Sequence, residues 1–314
     1  MAHNILITGS QGYIGQRLMV ALKDKHTVVG VDIVAAQDCD YSYHQMDIRS
    51  VKLVDVMREY DITHVVHLAS VMQPSKNRAR DYDIDINGTK NVLQACVHTG
   101  VQHITVTSSG AAYGYHSDNP AWLSEHHPLR GNREFAYSHH KRLIEELLKQ
   151  YQTQQPQLQQ LILRPGTVLG KTTHNQITAL FNQARVIAIK GSDSPFVFIW
   201  DEDVLAIILK GVTENRVGQF NLAGDGALTI TELASALNKP LLTLPAWLVK
   251  GALFVARRLG LSQYGPEQVN FLRFRPVLCN EALKTQFGYQ PQKSSREVFD
   301  YYLQHNQERL NHDA

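Results

Sequence analysis

Tyr137 and Lys141 stand four residues apart in the run Tyr-Ser-His-His-Lys, and Ser109 precedes Tyr137 by 28 positions. On a helix, residues i and i+4 share a face, so this spacing makes neighbours of a phenol and an ammonium. A tyrosine hydroxyl titrates near ~10 and is a poor base at neutral pH. A neighbouring ammonium, with a second positive group opposite, favours the phenolate; bringing the phenol near neutrality amounts to about 4 kcal/mol. A phenolate can take the proton of a secondary alcohol while the carbon gives up a hydride, and a serine hydroxyl can hold the same oxygen. Proton transfer from a well-placed group is worth ~10²–10⁴ in rate. Each residue alone has a plainer reading, as a surface helix pair or a Ser-Ser turn. The chemistry needs a hydride carrier as well.

The carrier's cradle is written at the other end of the chain. Thr8-Gly9-Ser10-Gln11-Gly12-Tyr13-Ile14-Gly15 follows the apolar run Ile5-Leu6-Ile7 directly. Glycine permits positive φ and close approach of a ligand to the backbone. The helix that follows offers unpaired N–H groups and its positive dipole end to phosphates. A second strand ends in Asp32, seventeen residues beyond Gly15, where a carboxylate would accept hydrogen bonds from the ribose hydroxyls of a bound dinucleotide. Strand, glycine turn, helix and acid in this order are the context the motif requires. An ordinary strand-turn-helix with a chance acid is the alternative.

These residues must be positioned by the elements around them. Apolar runs at 4–8, 27–31, 64–68, 103–107, 158–163 and 219–223 read as strands. Their apolar residues run on rather than alternate, which points to parallel strands covered on both faces. Helical patterns lie between them, at 13–23, 51–59, 83–98 and 133–150, with Ser50 a candidate N-cap and Gly100 a candidate stop. Right-handed crossovers then assemble an α/β, Rossmann-type doubly wound parallel sheet, with a smaller helix-rich C-terminal substrate domain. The predicted nucleotide-binding domain covers 1–170 plus about 196–225; the substrate-binding domain covers 171–195 and 226–314. Thr107, Ser108 and Ser109 close the fourth long strand, and ligands of such sheets bind at the carboxyl ends of strands.

Bulk composition excludes more than it assigns. The chain has 314 residues, 43% hydrophobic and 19% charged, with a net charge of +2 and 15 histidines. No field of one sign steers it toward nucleic acid or acidic membranes. Cys39, Cys96 and Cys279 form no metal-ligand spacing, and a reducing, cytoplasmic setting is expected. The N-terminus reads as a strand, not a signal peptide. The apolar stretch 241–260 is broken by Lys250, Arg257 and Arg258 and is too interrupted to span a bilayer. It reads as a substrate-domain helix, with an amphipathic membrane-surface helix as the alternative. His139 and His140 point about 100° apart on a helix and cannot chelate one metal; no metal is expected.

Taken together, these residues resemble the extended short-chain dehydrogenase/reductases, the NAD-dependent epimerase/dehydratase family. The likeness runs from Asn4 to about Tyr302 on Thr8-Gly-x-x-Gly-x-x-Gly15, Asp32, Asp47-Ile48, His67-Leu-Ala-Ser70, Asn87-Gly-Thr-x-Asn91, Ser108-Ser109, Tyr137-x-x-x-Lys141 and Arg164-Pro165-Gly166. The resemblance implies NAD as cofactor. It implies a pyrophosphate turn made by Gly9, Gly12, Tyr13, Ile14 and Gly15, with Asp47 and Ile48 flanking the adenine. Leu68, Ala69 and Ser70 would run beside the phosphates and ribose, Thr107 beside the cofactor, and Pro165 and Thr167 near the nicotinamide. Asn87 matches the family's structural and proton-relay asparagine. Tyr137 would be the acid/base, Lys141 its modulator and ribose ligand, and Ser109 the hydrogen-bond partner of the reacting oxygen. A homodimer through the helices at 83–98 and 133–150 is implied too. Asp32 is followed by Ile33 and Val34, with no arginine to meet a 2′-phosphate, which predicts NAD over NADP.

Two departures bear on the substrate. Sugar-nucleotide epimerases of the family place an asparagine where this chain has Thr167, and a diphosphate-gripping arginine where it has the aromatic stretch 194–200. Phenyl rings cannot replace a bidentate donor. Arg164, Arg216, Arg273 or Arg275 could take over the anchoring. The tail 244–261 looks more like members acting on hydroxysteroid-, flavonol- or other small ketone-type substrates. The segment 115–134, with Trp122, Glu125, His126 and His127, is either a loop closing over substrate or a surface excursion, and 171–175 is a second candidate rim. The expected activity is an NAD-dependent oxidoreductase acting on a secondary alcohol or ketone. The alternatives are a nucleotide-sugar 4-epimerase or dehydratase with retained NAD, and a non-catalytic NAD-sensing protein, a class that usually loses the tyrosine or the lysine.

Overall fold

A computed structural model describes residues 2–36, 39–72, 75–193, 195–261 and 265–312. The strands are β1 (Asn4–Thr8), β2 (Thr27–Asp32), β3 (Ser42–Gln45), β4 (His64–His67), β5 (His103–Thr107), β6 (Gln159–Pro165), β7 (Thr167–Leu169), β8 (Val186–Ile189), β9 (Phe198–Trp200), β10 (Gly218–Leu222) and β11 (Leu241–Leu244). The helices are α1 (Tyr13–Leu22), α2 (Leu53–Glu59), α3 (Arg78–Tyr82), α4 (Gly88–Thr99), α5 (Ala136–Gln154), α6 (Gln176–Phe181), α7 (Asp201–Thr213), α8 (Ile230–Ala236), α9 (Ala246–Arg258), α10 (Gln268–Arg273) and α11 (Ser295–His312).

Seven strands form one sheet in the order β10-β6-β5-β4-β1-β2-β3. The β1 strand pairs in parallel with β2 and with β4, and β4, β5 and β6 continue in parallel register. The chain order therefore reverses at β1, and the β1–β4 gap is the switch point where such sheets open a crevice for ligand. This is the Rossmann-type doubly wound sheet expected from the continuous apolar runs. The edge strand β3, Ser-Tyr-His-Gln, has no apolar run and was not predicted.

The chain forms two compact units, one of residues 1–109, 140–164 and 204–220, the other of 110–139, 165–203 and 221–314. The second unit thus begins at Gly110, well before the sequence boundary at 170. The core of the first unit is aliphatic, with Leu6, Val29, Val65, Val92, Ile104 and Leu148 all fully buried or nearly so. Helix α4 ends as predicted at Gly100, whose φ of 76° lets its N–H close on Cys96 O. Ser50 accepts from Lys52 N at 3.3 Å just before α2, but Lys52 is that helix's cap residue.

The second unit is organised by two short parallel pairs, β7 with β9 and β11 with β8. Phe196 and Phe198, from the aromatic stretch, are core residues of this unit. They are buried in an aromatic cluster with Phe181, Phe299 and Tyr302, and Phe198 stacks on Phe299 at 5.5 Å. Ser194, the first residue of that stretch, lies outside the described residues. No helix among the described residues is long and apolar enough to cross a membrane.

Candidate active site

The β1 strand delivers the chain to Gly9, whose φ of 73° puts it in the left-handed region. Its N–H donates to Val31 O at 2.9 Å. A Cβ at Gly9 would lie 2.8 Å from Ala69 N, and one at Gly15 would lie 2.2 Å from Gly9 O. Gly12 caps α1 without a side-chain hydrogen bond, so the first N–H groups of the helix open into the turn. Tyr13 is exposed and Ile14 half-buried at the start of α1. The result is a backbone cradle shaped for an anion. Gly15→Ala should push Gly9 and Ser10 apart, costing about 1–3 kcal/mol. We expect a lower melting temperature and at least tenfold weaker NAD binding in a titration.

Asp32 stands at the tip of this turn. One carboxylate oxygen accepts from Gln11 N at 2.9 Å and the other from Val34 N at 3.1 Å. Leu68, Ala69 and Ser70 leave β4 beside it: Leu68 N donates to Thr8 O, and Ala69 is the residue Gly9 approaches. Asp47 is paired with Arg49. Arg49 grips its carboxylate at 2.7 and 3.0 Å and also reaches Asp83 at 2.6 Å. Those hydrogen bonds hold the Asp47 carboxyl below its usual range. Ile48 is buried in the core and packs over Gly88, where a Cβ would lie 2.6 Å from its Cδ1. Its side chain is committed to packing.

Asn87 comes two residues after a buried aspartate, at the start of α4. It is exposed, and its amide donates to Asp83 at 2.7 Å. The buried position is Asp85, two residues earlier in a π-helical turn over Asp83–Asn87. The Asp85 carboxylate accepts from Ser70 Oγ at 3.0 Å and from Val71 N at 2.8 Å, and pairs with His140 Nδ1 at 2.8 Å. Burial opposes its ionisation, but the bonds from His140 and Val71 outweigh that and keep the carboxyl below its usual range. One turn on, Thr89 Oγ1 meets His67 Nε2 at 3.0 Å, and His67 Nδ1 meets Thr8 Oγ1 at 2.7 Å. Burial pushes the His67 pKa down to about 3, so the ring is neutral and ties β1, β4 and α4 together.

At the carboxyl end of β5 the hydroxyls have separate roles. Thr107 O accepts from Lys141 Nζ at 3.0 Å. Ser108 Oγ donates to Glu145 at 2.5 Å, and Glu145 is held by Arg164 Nε at 2.9 Å and Nη2 at 2.6 Å. Ser109, next in the chain, is buried as well. Lys141 is buried too. Burial pushes its pKa below the ordinary lysine value, while Asp85 and Glu145 oppose that and favour the ammonium.

Tyr137 lies one turn before Lys141 on α5 and packs against Ala111, Tyr115 and Phe135. The start of this helix is anchored: Ser138 Oγ donates to Ala111 O at 2.7 Å and accepts from Asn132 N at 3.1 Å. Asn132 in turn accepts from Tyr115 N at 2.7 Å. Beyond β6, Pro165 leads to Gly166, whose N–H donates to Leu222 O, and Thr167 N donates to Val197 O at 3.1 Å. The segment 115–134 is built into the second unit. Leu123 bridges Leu278, and buried Glu125 accepts from Asn221 N at 2.7 Å.

The candidate anchoring arginines sort themselves by surroundings. Arg164 is engaged by Glu145, and Arg216 by Glu214 on the surface. Arg275 is half-buried, 3.9 Å from the Phe196 ring centre and 4.4 Å from that of Phe271. Burial pushes its pKa down to about 10. It borders a largely apolar cavity of ≈ 90 Å³ in the second unit, with Phe181, Val186, Ile189, Phe196 and Leu233.

Residues 5–222 match the NAD dependent epimerase/dehydratase family. The chain belongs to that family. It is an enzyme of the extended short-chain dehydrogenase/reductase type, and NAD is the family's cofactor. Among relatives, an uncharacterized Mycobacterium tuberculosis (H37Rv) protein is 22% identical over 311 residues, 95% of this chain and 83% of that one. The N-acetyl-alpha-D-glucosaminyl-diphospho-ditrans,octacis-undecaprenol 4-epimerase of Escherichia coli O157:H7 is 27% identical over 184 residues, 58% of this chain and 54% of its own. The fold is shared with the Bordetella bronchiseptica enzyme WbmG in complex with NAD and UDP. Its TM-score is 0.75 at 18% identity, over 98% of this chain and 95% of that one.

For a member of this family, the sequence reading passed over Asp85, His140 and Glu145. A signal for the first was present. Asp85, Thr89, Val92 and Cys96 are spaced four, three and four apart, and all are buried on one face. Asn87 falls off that stripe. Glu145 lies one turn beyond Lys141 and two beyond Tyr137, where only burial distinguishes it from a solvated acid.

Proposed function

We propose that the enzyme transfers a hydride between NAD and the carbinol carbon of a secondary alcohol or ketone, with Tyr137, Lys141 and Ser109 as its catalytic residues. The single observation that carries this reading is Lys141: a buried ammonium fixed to the Thr107 carbonyl, one turn from Tyr137. A charge kept in such a place against its desolvation cost points to a functional demand. The Gly9–Gly15 cradle and the Asp32 carboxylate fit the pyrophosphate and ribose of NAD, which supplies the hydride acceptor when bound. Tyr137 takes the alcohol proton in oxidation and returns it in reduction. Lys141 favours the phenolate by its charge, and Ser109 donates to the reacting oxygen.

Asp32 repels a 2′-phosphate, so NAD should bind at least tenfold more tightly than NADP in a fluorescence titration; equal affinities would overturn that assignment. The pairing of two copies through 83–98 and 133–150, and a cytoplasmic setting, belong to the same proposal.

A second reading, a nucleotide-sugar 4-epimerase or dehydratase with retained NAD, is favoured by one observation. Arg275 lies between two phenyl rings at the second unit's cavity, a combination suited to a base and its phosphates. Steady NADH release on candidate alcohols supports net oxidation. Tight binding of uridine diphosphate, with a sugar interconverted and no net NADH, supports the epimerase.

A further inference from the structure

Helix α9 presents an apolar face that the described residues do not cover. None of its residues is buried. Ala246, Val249, Leu253 and Ala256 are half-buried and recur every three or four positions, which marks the side facing the second unit. Around the rest of the helix, Trp247 is 73% and Phe254 59% exposed, and Leu248, Val255 and Leu259 are exposed with them. Leu261 follows at 78% exposure. Leu242 on β11 and its register partner Ile187 on β8 are exposed as well. Single surface apolar residues are ordinary, but a cluster of large ones marks an interaction surface.

The charge of the segment says what kind of surface would cover it. Residues 233–266 contain Lys239, Lys250, Arg257 and Arg258 and no aspartate or glutamate. Lys239 is bound to the Phe181 and Gln183 carbonyls, and Arg257 to Glu267, while Lys250 and Arg258 are exposed on α9 itself. Tryptophan, phenylalanine and leucines beside lysine and arginine, on a helix too short and too charged to span, are the pattern of a helix lying in a membrane interface. The cations complement anionic headgroups, and tryptophan favours the headgroup level.

We propose that α9, with Leu259, Leu261 and the exposed leucine of β11, docks the enzyme on an anionic phospholipid bilayer. The face lies apart from Tyr137, Lys141, Ser109 and the glycine turn in sequence, so its occupancy is testable without touching them. Co-sedimentation with phosphatidylglycerol-containing vesicles should retain the intact enzyme, with at least tenfold weaker retention on pure phosphatidylcholine and release at high salt. Trp247 fluorescence should shift to the blue on the anionic vesicles, and Trp247→Phe should remove that change. Phe254→Glu, at an exposed position, should keep the melting temperature and lower vesicle binding at least tenfold, as should Lys250→Glu combined with Arg258→Glu. Absence of binding, binding indifferent to lipid charge, or a Phe254→Glu enzyme that still sediments would overturn the proposal. So would a dimer abolished by Phe254→Glu, which would assign the face to a second copy of the chain.

Discussion

Tyr137→Phe should leave the protein folded and lower kcat by about 10²–10⁴, the contribution of a positioned proton-transfer group. The phenyl ring remains, so the packing against Ala111, Tyr115 and Phe135 is kept, and the melting temperature should change little. Only the hydroxyl is lost, and with it the group proposed to exchange a proton with the alcohol. Cofactor binding should be nearly unchanged, whereas Lys141→Ala should weaken both turnover and NAD binding, since in the proposed mechanism its ammonium serves the phenol and the ribose. Single-turnover NADH formation separates the two effects. Turnover near the wild-type rate in Tyr137→Phe would remove this hydroxyl from the mechanism, whatever the cofactor affinity.

The second large effect is on stability. Glu145 and Arg164 are each 4% exposed, joined by Nε and Nη2 contacts, and Ser108 donates to the same carboxylate. Glu145→Ala leaves a buried guanidinium without its counter-charge, and removing one partner of a buried pair costs about 3–5 kcal/mol. The loss should appear in urea denaturation as a shifted midpoint with little change in slope. The paired replacement Glu145→Leu with Arg164→Met should recover most of it, because an apolar pair of similar volume avoids both desolvation penalties. A single-variant loss under about 1 kcal/mol would mean that water reaches the guanidinium and the pair is not structural.

The effects differ because the residues serve different ends. Tyr137 packs through its ring and, in the proposed mechanism, reacts through its hydroxyl, so deleting the oxygen should cost rate and little stability. Glu145 neutralises a charge at the end of β6, directly beneath the hydroxyl-bearing end of β5. It also accepts from the Ser108 hydroxyl.

What could be read from the chain alone is what short-range physics encodes. Parallel strands covered on both faces must be apolar throughout, so β1, β2, β4, β5, β6 and β10 stood out as runs. Gly9 and Gly15 are legible because no other residue fits the turn, and Tyr137 with Lys141 because the helical period puts i and i+4 together. The elements that escaped, β3, β7, β8, β9 and β11, are three or four residues long and take their form from partners distant in sequence. Folding also settled which polar groups sit in low dielectric. Asp85 rather than Asn87 is buried because its side chain meets Ser70, Val71 and His140, three partners supplied by other segments. Phe196 and Phe198 became core because α11 brings Phe299 and Tyr302 against them. Burial and counter-charge arise only when distant segments meet, and they turn a list of titratable residues into a site.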